Sequence, residues 1–279
     1  MTEFAFAKIN LSLKIIGKRP DGYHEIESVM QRLSLHDTLL FTPRKKGIDF
    51  VCRAEGVPND ESNLCVKAAK AYLEAAGIRE GVAIELVKAI PAGAGLGGGS
   101  ADAAAVLRAM ASLYPASLDL EKIALTLGAD VPFCCSGTTS LCRGLGEKMT
   151  PVAFAGKEKL FALVAKGPSS LSTPAVYRAF DEREKEPGGE TAPLLFAMEK
   201  GGADAIRAAL FNDLESAAVA LQPSIAALKS LMEAYGAKNA RMTGSGSAVF
   251  ALFEDREKAE RCASLLGQDG FFSAVCSLL

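Results

Sequence analysis

Residues 91–101 of the 279-residue chain read Pro91-Ala92-Gly93-Ala94-Gly95-Leu96-Gly97-Gly98-Gly99-Ser100-Ala101, so six of the nine positions before Ala101 are glycine or serine. Glycine has no Cβ, and a run this rich in it can bring its backbone close to a ligand and aim several N–H groups the same way. An alanine-rich helix, expected from about Ser100 to Leu113, adds unpaired N–H groups and the positive end of its dipole. Together these features form an anion site suited to a nucleotide triphosphate. The competing reading is a turn whose glycines serve only tight strand–helix packing.

Two other glycine motifs fit less well. Residues 93–98 satisfy the dinucleotide fingerprint, but that fold wants an acid ending the next strand about 20 residues on. Asp119 and Glu121 stand at that distance and open a helix instead. No Gly-Lys-Ser/Thr follows the glycines, which excludes a Walker loop. A phosphoryl-transfer enzyme built on this segment must therefore draw its cation from elsewhere.

Lys8 is the candidate cation. Residues 4–15 alternate with a period of two, placing Ala5, Ala7, Ile9, Leu11, Leu13 and Ile15 on one strand face and Lys8, Asn10, Ser12 and Lys14 on the other. The pattern predicts a strand with one buried face, on which Lys8 reads equally as a partly desolvated functional lysine or a solvated edge lysine. Asp130 is the candidate acid. Gly128 stops a helix expected over residues 117–127, and Pro132 disfavours helical geometry at Val131, so Asp130 is expected in a short turn as a cap or as a base. Thr243-Gly244-Ser245-Gly246-Ser247 forms a second backbone-exposing loop. Two glycine loops, a lysine and a pinned aspartate are the parts of a phosphoryl-transfer site.

Four segments, in order, resemble the galactokinase, homoserine kinase, mevalonate kinase and phosphomevalonate kinase (GHMP) superfamily: residues 7–11, Pro91 with 95–100, Gly128-Ala129-Asp130-Val131-Pro132, and 243–246. Within it, Lys18-Arg19-Pro20-Asp21-Gly22-Tyr23-His24-Glu25 and the triple glycine resemble the members acting on a cytidine diphosphate-linked methylerythritol in non-mevalonate isoprenoid biosynthesis. The resemblance implies an α+β, two-domain fold: an N-terminal α/β domain with a left-handed β-α-β unit and a ferredoxin-like C-terminal domain. It implies that Lys8 and Asp130 are the catalytic pair and that residues 91–101 bind ATP with its Mg²⁺. It also implies that Tyr23 and His24 hold the cytosine, and that Asn10 and Thr173 lie near the substrate. Ala101 stands where relatives often have a second serine. Ser100 alone then faces the phosphates, which leaves coordination of magnesium by the protein open. A sister kinase for homoserine, mevalonate or a sugar, and a silent nucleotide-binding module, are the rival readings.

The elements needed to position these residues are legible in outline. Turn chemistry at residues 18–22 separates the first strand from an extended segment starting at Tyr23. A helix over residues 62–76, capped by Ser62 or Asn63 and ended by Gly77, precedes a strand at 82–87. Beyond lie a strand at 160–165, helices near 174–180, 204–220 and 223–235, strands near 239–243 and 247–253, and a polar excursion over 181–204. A soft boundary near 155 divides the chain into domains 1–155 and 156–279.

Composition sets the outer limits. The chain is 49% hydrophobic and 23% charged, with net charge −2, so no overall field recruits nucleic acid or an anionic membrane. The longest uncharged stretch is 13 residues, short of the roughly 20 that span a bilayer. A start of Met1-Thr2-Glu3-Phe4 lacks a signal-peptide apolar region, and Glu3, Asp21, Glu25 and Glu27 argue against a transit peptide, so a cytoplasmic protein is expected, monomeric or weakly dimeric. Seven cysteines with no Cys-x-x-Cys spacing read as reduced core thiols, and two histidines offer little for a metal site.

Overall fold

A computed structural model describes residues 1–183 and 188–279; part of the polar excursion, residues 184–187, lies outside the described residues. In chain order the first elements are β1 (Thr2–Lys18), β2 (His24–Arg44), β3 (Ile48–Cys52), α1 (Leu64–Ala76), β4 (Gly81–Val87), α2 (Gly98–Leu113), α3 (Leu120–Leu127) and α4 (Val131–Ser136). They are followed by β5 (Ser140–Gly144), β6 (Lys148–Pro151), β7 (Phe161–Lys166), α5 (Thr173–Asp181), α6 (Thr191–Lys200), α7 (Ala203–Ala208) and β8 (Phe211–Asn212). The chain continues through α8 (Glu215–Leu221), α9 (Ser224–Ala234), β9 (Arg241–Met242), β10 (Val249–Phe253), α10 (Arg256–Gln268) and β11 (Phe272–Ser277). Residues 1–7, 35–92 and 97–137 form one compact unit, and residues 8–34, 93–96 and 138–279 the other.

In the first unit β4 pairs antiparallel with Thr38–Arg44 of β2 and parallel with β3. The parallel pair is joined through α1, a β-α-β crossover. Asn63 caps α1 by accepting the N–H of Cys65, and Gly77 ends it in the left-handed conformation, φ 64°. Helix α2 packs on α1 and α4, and its run of Ala101 and Ala103–Ala105 is buried, since small side chains let neighbouring helices approach.

In the second unit β1 lies between β2 and β8, and β5 pairs with residues 26–30 of β2. A separate antiparallel sheet has the order β11-β7-β10-β9. One core joins Leu163 and Ala165 of β7 to Val176, Ala218, Leu228 and Cys262 of the surrounding helices. All seven cysteines are free thiols, as their spacing predicts.

Several expectations are corrected. Over residues 8–13 both faces of β1 are buried, because Asn10 and Ser12 find partners inside the protein. Helix α2 begins two residues early at Gly98, and α3 begins three residues late, capped by Asp119. Val131 is helical despite Pro132, which sits in the first turn of α4, where a missing N–H costs nothing. The helix expected over 204–220 is broken into α7 and α8 by β8, which pairs with β1.

Candidate functional site

In the second unit, strand β1 and both glycine-bearing segments meet. The N–H of Lys8 donates to the Leu96 carbonyl at 3.0 Å, and that of Asn10 donates to Thr243 Oγ1 at 2.9 Å. The loops touch directly: a Cβ on Gly95 would fall 2.4 Å from the Thr243 carbonyl oxygen, and one on Gly244 2.8 Å from that of Gly95. Both residues have positive φ, so packing alone requires glycine at these two positions.

Lys8 is 3% exposed, which excludes the solvated reading. Its ammonium donates to Asn10 Oδ1 at 2.8 Å, and Asn10 Nδ2 donates to Ser28 Oγ at 2.8 Å. Ser28 in turn donates to the Ser12 carbonyl. This network fixes a cation in a buried place, where its field is screened little by water. Thr173, at the start of α5, shares a 2.7 Å hydrogen bond with Ser245, joining the substrate candidate to the 243–247 loop.

Tyr23 and His24 close the hairpin after Gly22, which turns with φ 86°. Tyr23 is 65% exposed and offers a free ring face, whereas His24 is buried against the rings of Tyr177 and Phe180. His24 Nε2 lies 2.6 Å from Asp181 Oδ1, and Lys18 donates to Asp181 Oδ2 at 2.6 Å. Burial raises the Asp181 carboxyl, but the bonds from Lys18 and His24 outweigh it and hold the group below its ordinary range. The Asp181 carboxylate can only accept, so Nε2 carries a proton, and in that tautomer Nδ1 is an acceptor. Sequence reading missed Asp181 and Tyr177, which are reached only through the fold.

In the first unit, Gly97 precedes α2 in the left-handed conformation, φ 70°, and the first helical bond runs from Ala101 N–H to the Gly97 carbonyl. The N–H groups of Gly98, Gly99 and Ser100 therefore belong to the unpaired first turn. Gly99 has no positive φ, and a Cβ there would meet only Leu64 Cδ1 at an ordinary 3.6 Å. Packing does not demand glycine at Gly99; an open backbone at a helix N-terminus fits a phosphate. Asp130 precedes α4 with φ −86° and ψ −11°, and its side chain does not cap that helix. The glycine loop itself is divided: Pro91 and Ala92 belong to this unit with residues 97–101, and Ala94 to the other, where its carbonyl accepts from Ala248.

A buried charge cluster in the same unit gave no motif in the sequence. Lys88 Nζ donates to Asp37 Oδ2 at 2.5 Å and to Asp102 Oδ2 at 2.9 Å. Burial works against the Lys88 ammonium, but Asp102 and Asp37 together hold its pKa above the ordinary value. Burial, reinforced by the Asp37 charge and opposed by Lys88, pushes Asp102 up to about 7.

The model of the GHMP kinases N terminal domain matches residues 63–138, and that of the GHMP kinases C terminal domain matches 194–269. The chain belongs to the GHMP kinase family. It has the family's two-domain fold of mixed α and β content. This GHMP kinase is 41% identical over 261 residues to a 4-diphosphocytidyl-2-C-methyl-D-erythritol kinase of Clostridium kluyveri, covering 92% of each chain. It is 42% identical over 266 residues to the enzyme of that name from Desulfitobacterium hafniense, covering 94% of this chain and 90% of the relative. A crystal structure of 4-(cytidine 5'-diphospho)-2C-methyl-D-erythritol kinase matches with a TM-score of 0.84 and 39% identity over 99% of both chains. A homoserine kinase from Cytophaga hutchinsonii, 20% identical with a TM-score of 0.68, shares the fold.

Proposed function

We propose that this GHMP kinase transfers the γ-phosphoryl group of ATP to the 2-hydroxyl of 4-(cytidine 5'-diphospho)-2-C-methyl-D-erythritol, a step of non-mevalonate isoprenoid biosynthesis. The observation that carries this reading is the Tyr23–His24 hairpin, in a chain about 40% identical to enzymes of that name over nine-tenths of its length. An exposed tyrosine ring offers a stacking face for a base. The acceptor nitrogen of His24, held in place by Asp181, suits the exocyclic amine of cytosine. Uracil has a carbonyl there and would leave that nitrogen without a donor.

Phosphoryl transfer needs mainly positioning and charge neutralisation. Asp130 takes the proton of the attacking hydroxyl, and Lys8, oriented by Asn10, stabilises charge on the moving phosphoryl group. Asn10 and Thr173 orient the substrate. The residues of the 91–101 loop cover the nucleotide, and the N–H groups of Gly98, Gly99 and Ser100 receive phosphate oxygens. Mg²⁺, brought with ATP, would supply positive charge to offset the negative charge of the phosphates, and Ser100 is the hydroxyl of the loop that would face it. We take the chain to divide near residue 155 into its N-terminal and C-terminal domains. Among the described residues no helix is long and apolar enough to cross a membrane, and we place the enzyme in the cytoplasm, as a monomer or weak homodimer. Inhibition of ADP release by CMP, competitive with the cytidine substrate, tests the nucleobase pocket; absence of competition would remove it.

A further inference from the structure

The buried charges of the first unit sit where the glycine segment begins and where it ends. Asp37, fully buried on β2, accepts the N–H groups of Ala89 at 2.6 Å and Ile90 at 2.8 Å through Oδ1, and the Lys88 ammonium through Oδ2. Residues 88–90 are the stretch that leads into Pro91. The same ammonium donates to Asp102 Oδ2, one turn into α2. Residues 88 and 102 are thus joined across the base of the segment between them. The fit is close, since a Cβ on Gly98 would fall 3.1 Å from Ile90 Cγ2 and 3.2 Å from Lys88 Nζ.

Stability alone does not account for this arrangement. Asp102 is 3% exposed, and its Oδ1 has no hydrogen-bond partner among the described residues. Buried ion clusters commonly stabilise no better than well-packed apolar side chains, and an unsatisfied carboxylate oxygen makes the comparison worse. What an ionic clasp does supply is a fixed distance and direction between two backbone segments.

We propose that Lys88, anchored by Asp37 and bonded to Asp102, is a clasp that sets the position of the first turn of α2, and so of the N–H groups that receive the ATP phosphates. Lys88, Asp37 and Asp102 are positioning residues, acting through residues 98–100. The inference rests on the reading of that turn as the phosphate site. Its consequence is selective: loosening the clasp weakens the use of ATP and leaves recognition of the cytidine substrate intact.

The test is steady-state kinetics with each substrate varied in turn, together with thermal melts, on four proteins: wild type, Asp102→Ala, Asp102→Asn and Tyr72→Phe. Tyr72→Phe is the stability control, since it removes a 2.7 Å hydrogen bond to the Tyr114 carbonyl in the same unit. Asp102→Ala breaks the clasp and is expected to raise KM for ATP roughly tenfold or more, as misplacement by about an ångström does. KM for the cytidine substrate should stay within about twofold. Asp102→Asn keeps an acceptor for Lys88 and restores the ATP value, whereas Tyr72→Phe lowers the melting temperature without moving it. If Asp102→Ala does not fold, Asp102→Leu breaks the same bond without leaving a void and is read the same way. Lower stability with an unchanged KM for ATP, or an equal rise in both KM values, overturns the clasp. Wild type that turns over no ATP overturns the underlying phosphate-site reading instead.

Discussion

Asp102→Asn should change how stability depends on pH. The Asp102 carboxyl lies at about 7 in the fold, against 3.8 for the ordinary group. Between those values the folded chain holds a proton that the unfolded chain has released, so stability falls as pH rises through the window and levels above it. About three pK units at 1.36 kcal/mol each set an upper bound of roughly 4 kcal/mol on this component. The groups facing the carboxyl are Lys88 after β4, Asp37 on β2 and Cys65 on α1. Burial raises the Cys65 thiol well above its ordinary value, so it stays neutral throughout. Asparagine removes the titration while keeping an acceptor for Lys88. Urea unfolding from pH 4 to pH 8 should therefore show the variant gaining on wild type with rising pH, by on the order of 2–4 kcal/mol across the window. Parallel pH profiles for the two proteins would refute the reasoning, because they would mean that Asp102 binds no extra proton in the fold.

Four further outcomes follow from the site. Asp130→Asn should leave ATP affinity, measured by equilibrium binding, close to wild type while turnover falls by roughly 10²–10⁴-fold. Gly99→Ala should raise the melting temperature, since alanine in a helix is favoured by about 0.5–1 kcal/mol, and yet raise KM for ATP. Gly95→Ala, with φ 77° and a carbonyl oxygen in the way, should instead destabilise the protein in the same melt. His24→Ala should weaken the cytidine substrate by about 1–3 kcal/mol in kcat/KM and erase its preference over the uridine analogue.

The parts of the site carried by local pattern were legible in the sequence. Period-two alternation found β1, and glycine density found the start of α2 to within two residues. Gly77 marked the end of α1, and the pair Ser62 or Asn63 its start, Asn63 being the cap. The burial of Lys8 was not legible, because alternation reports only that Lys8, Asn10 and Ser12 share a face, and not what covers it. Their partners Ser28 and Thr243 stand 18 and 233 residues from Asn10. Pro132 misled for a related reason: its effect on Val131 is a local preference, and a first-turn position tolerates it. The Lys88 cluster left no trace, since Asp37 lies on β2, Lys88 just after β4 and Asp102 on α2, and each alone reads as a surface charge. Asp181 was equally hidden within a run of acids read as a polar excursion.

The central claim is that the enzyme phosphorylates a cytidine-tagged alcohol, and coupled measurement of ADP release with three acceptors tests it most directly. With 4-(cytidine 5'-diphospho)-2-C-methyl-D-erythritol, kcat/KM should exceed that with homoserine or mevalonate by on the order of 100-fold or more. Comparable or greater ADP release with homoserine or mevalonate, or none with the cytidine substrate, would contradict the account.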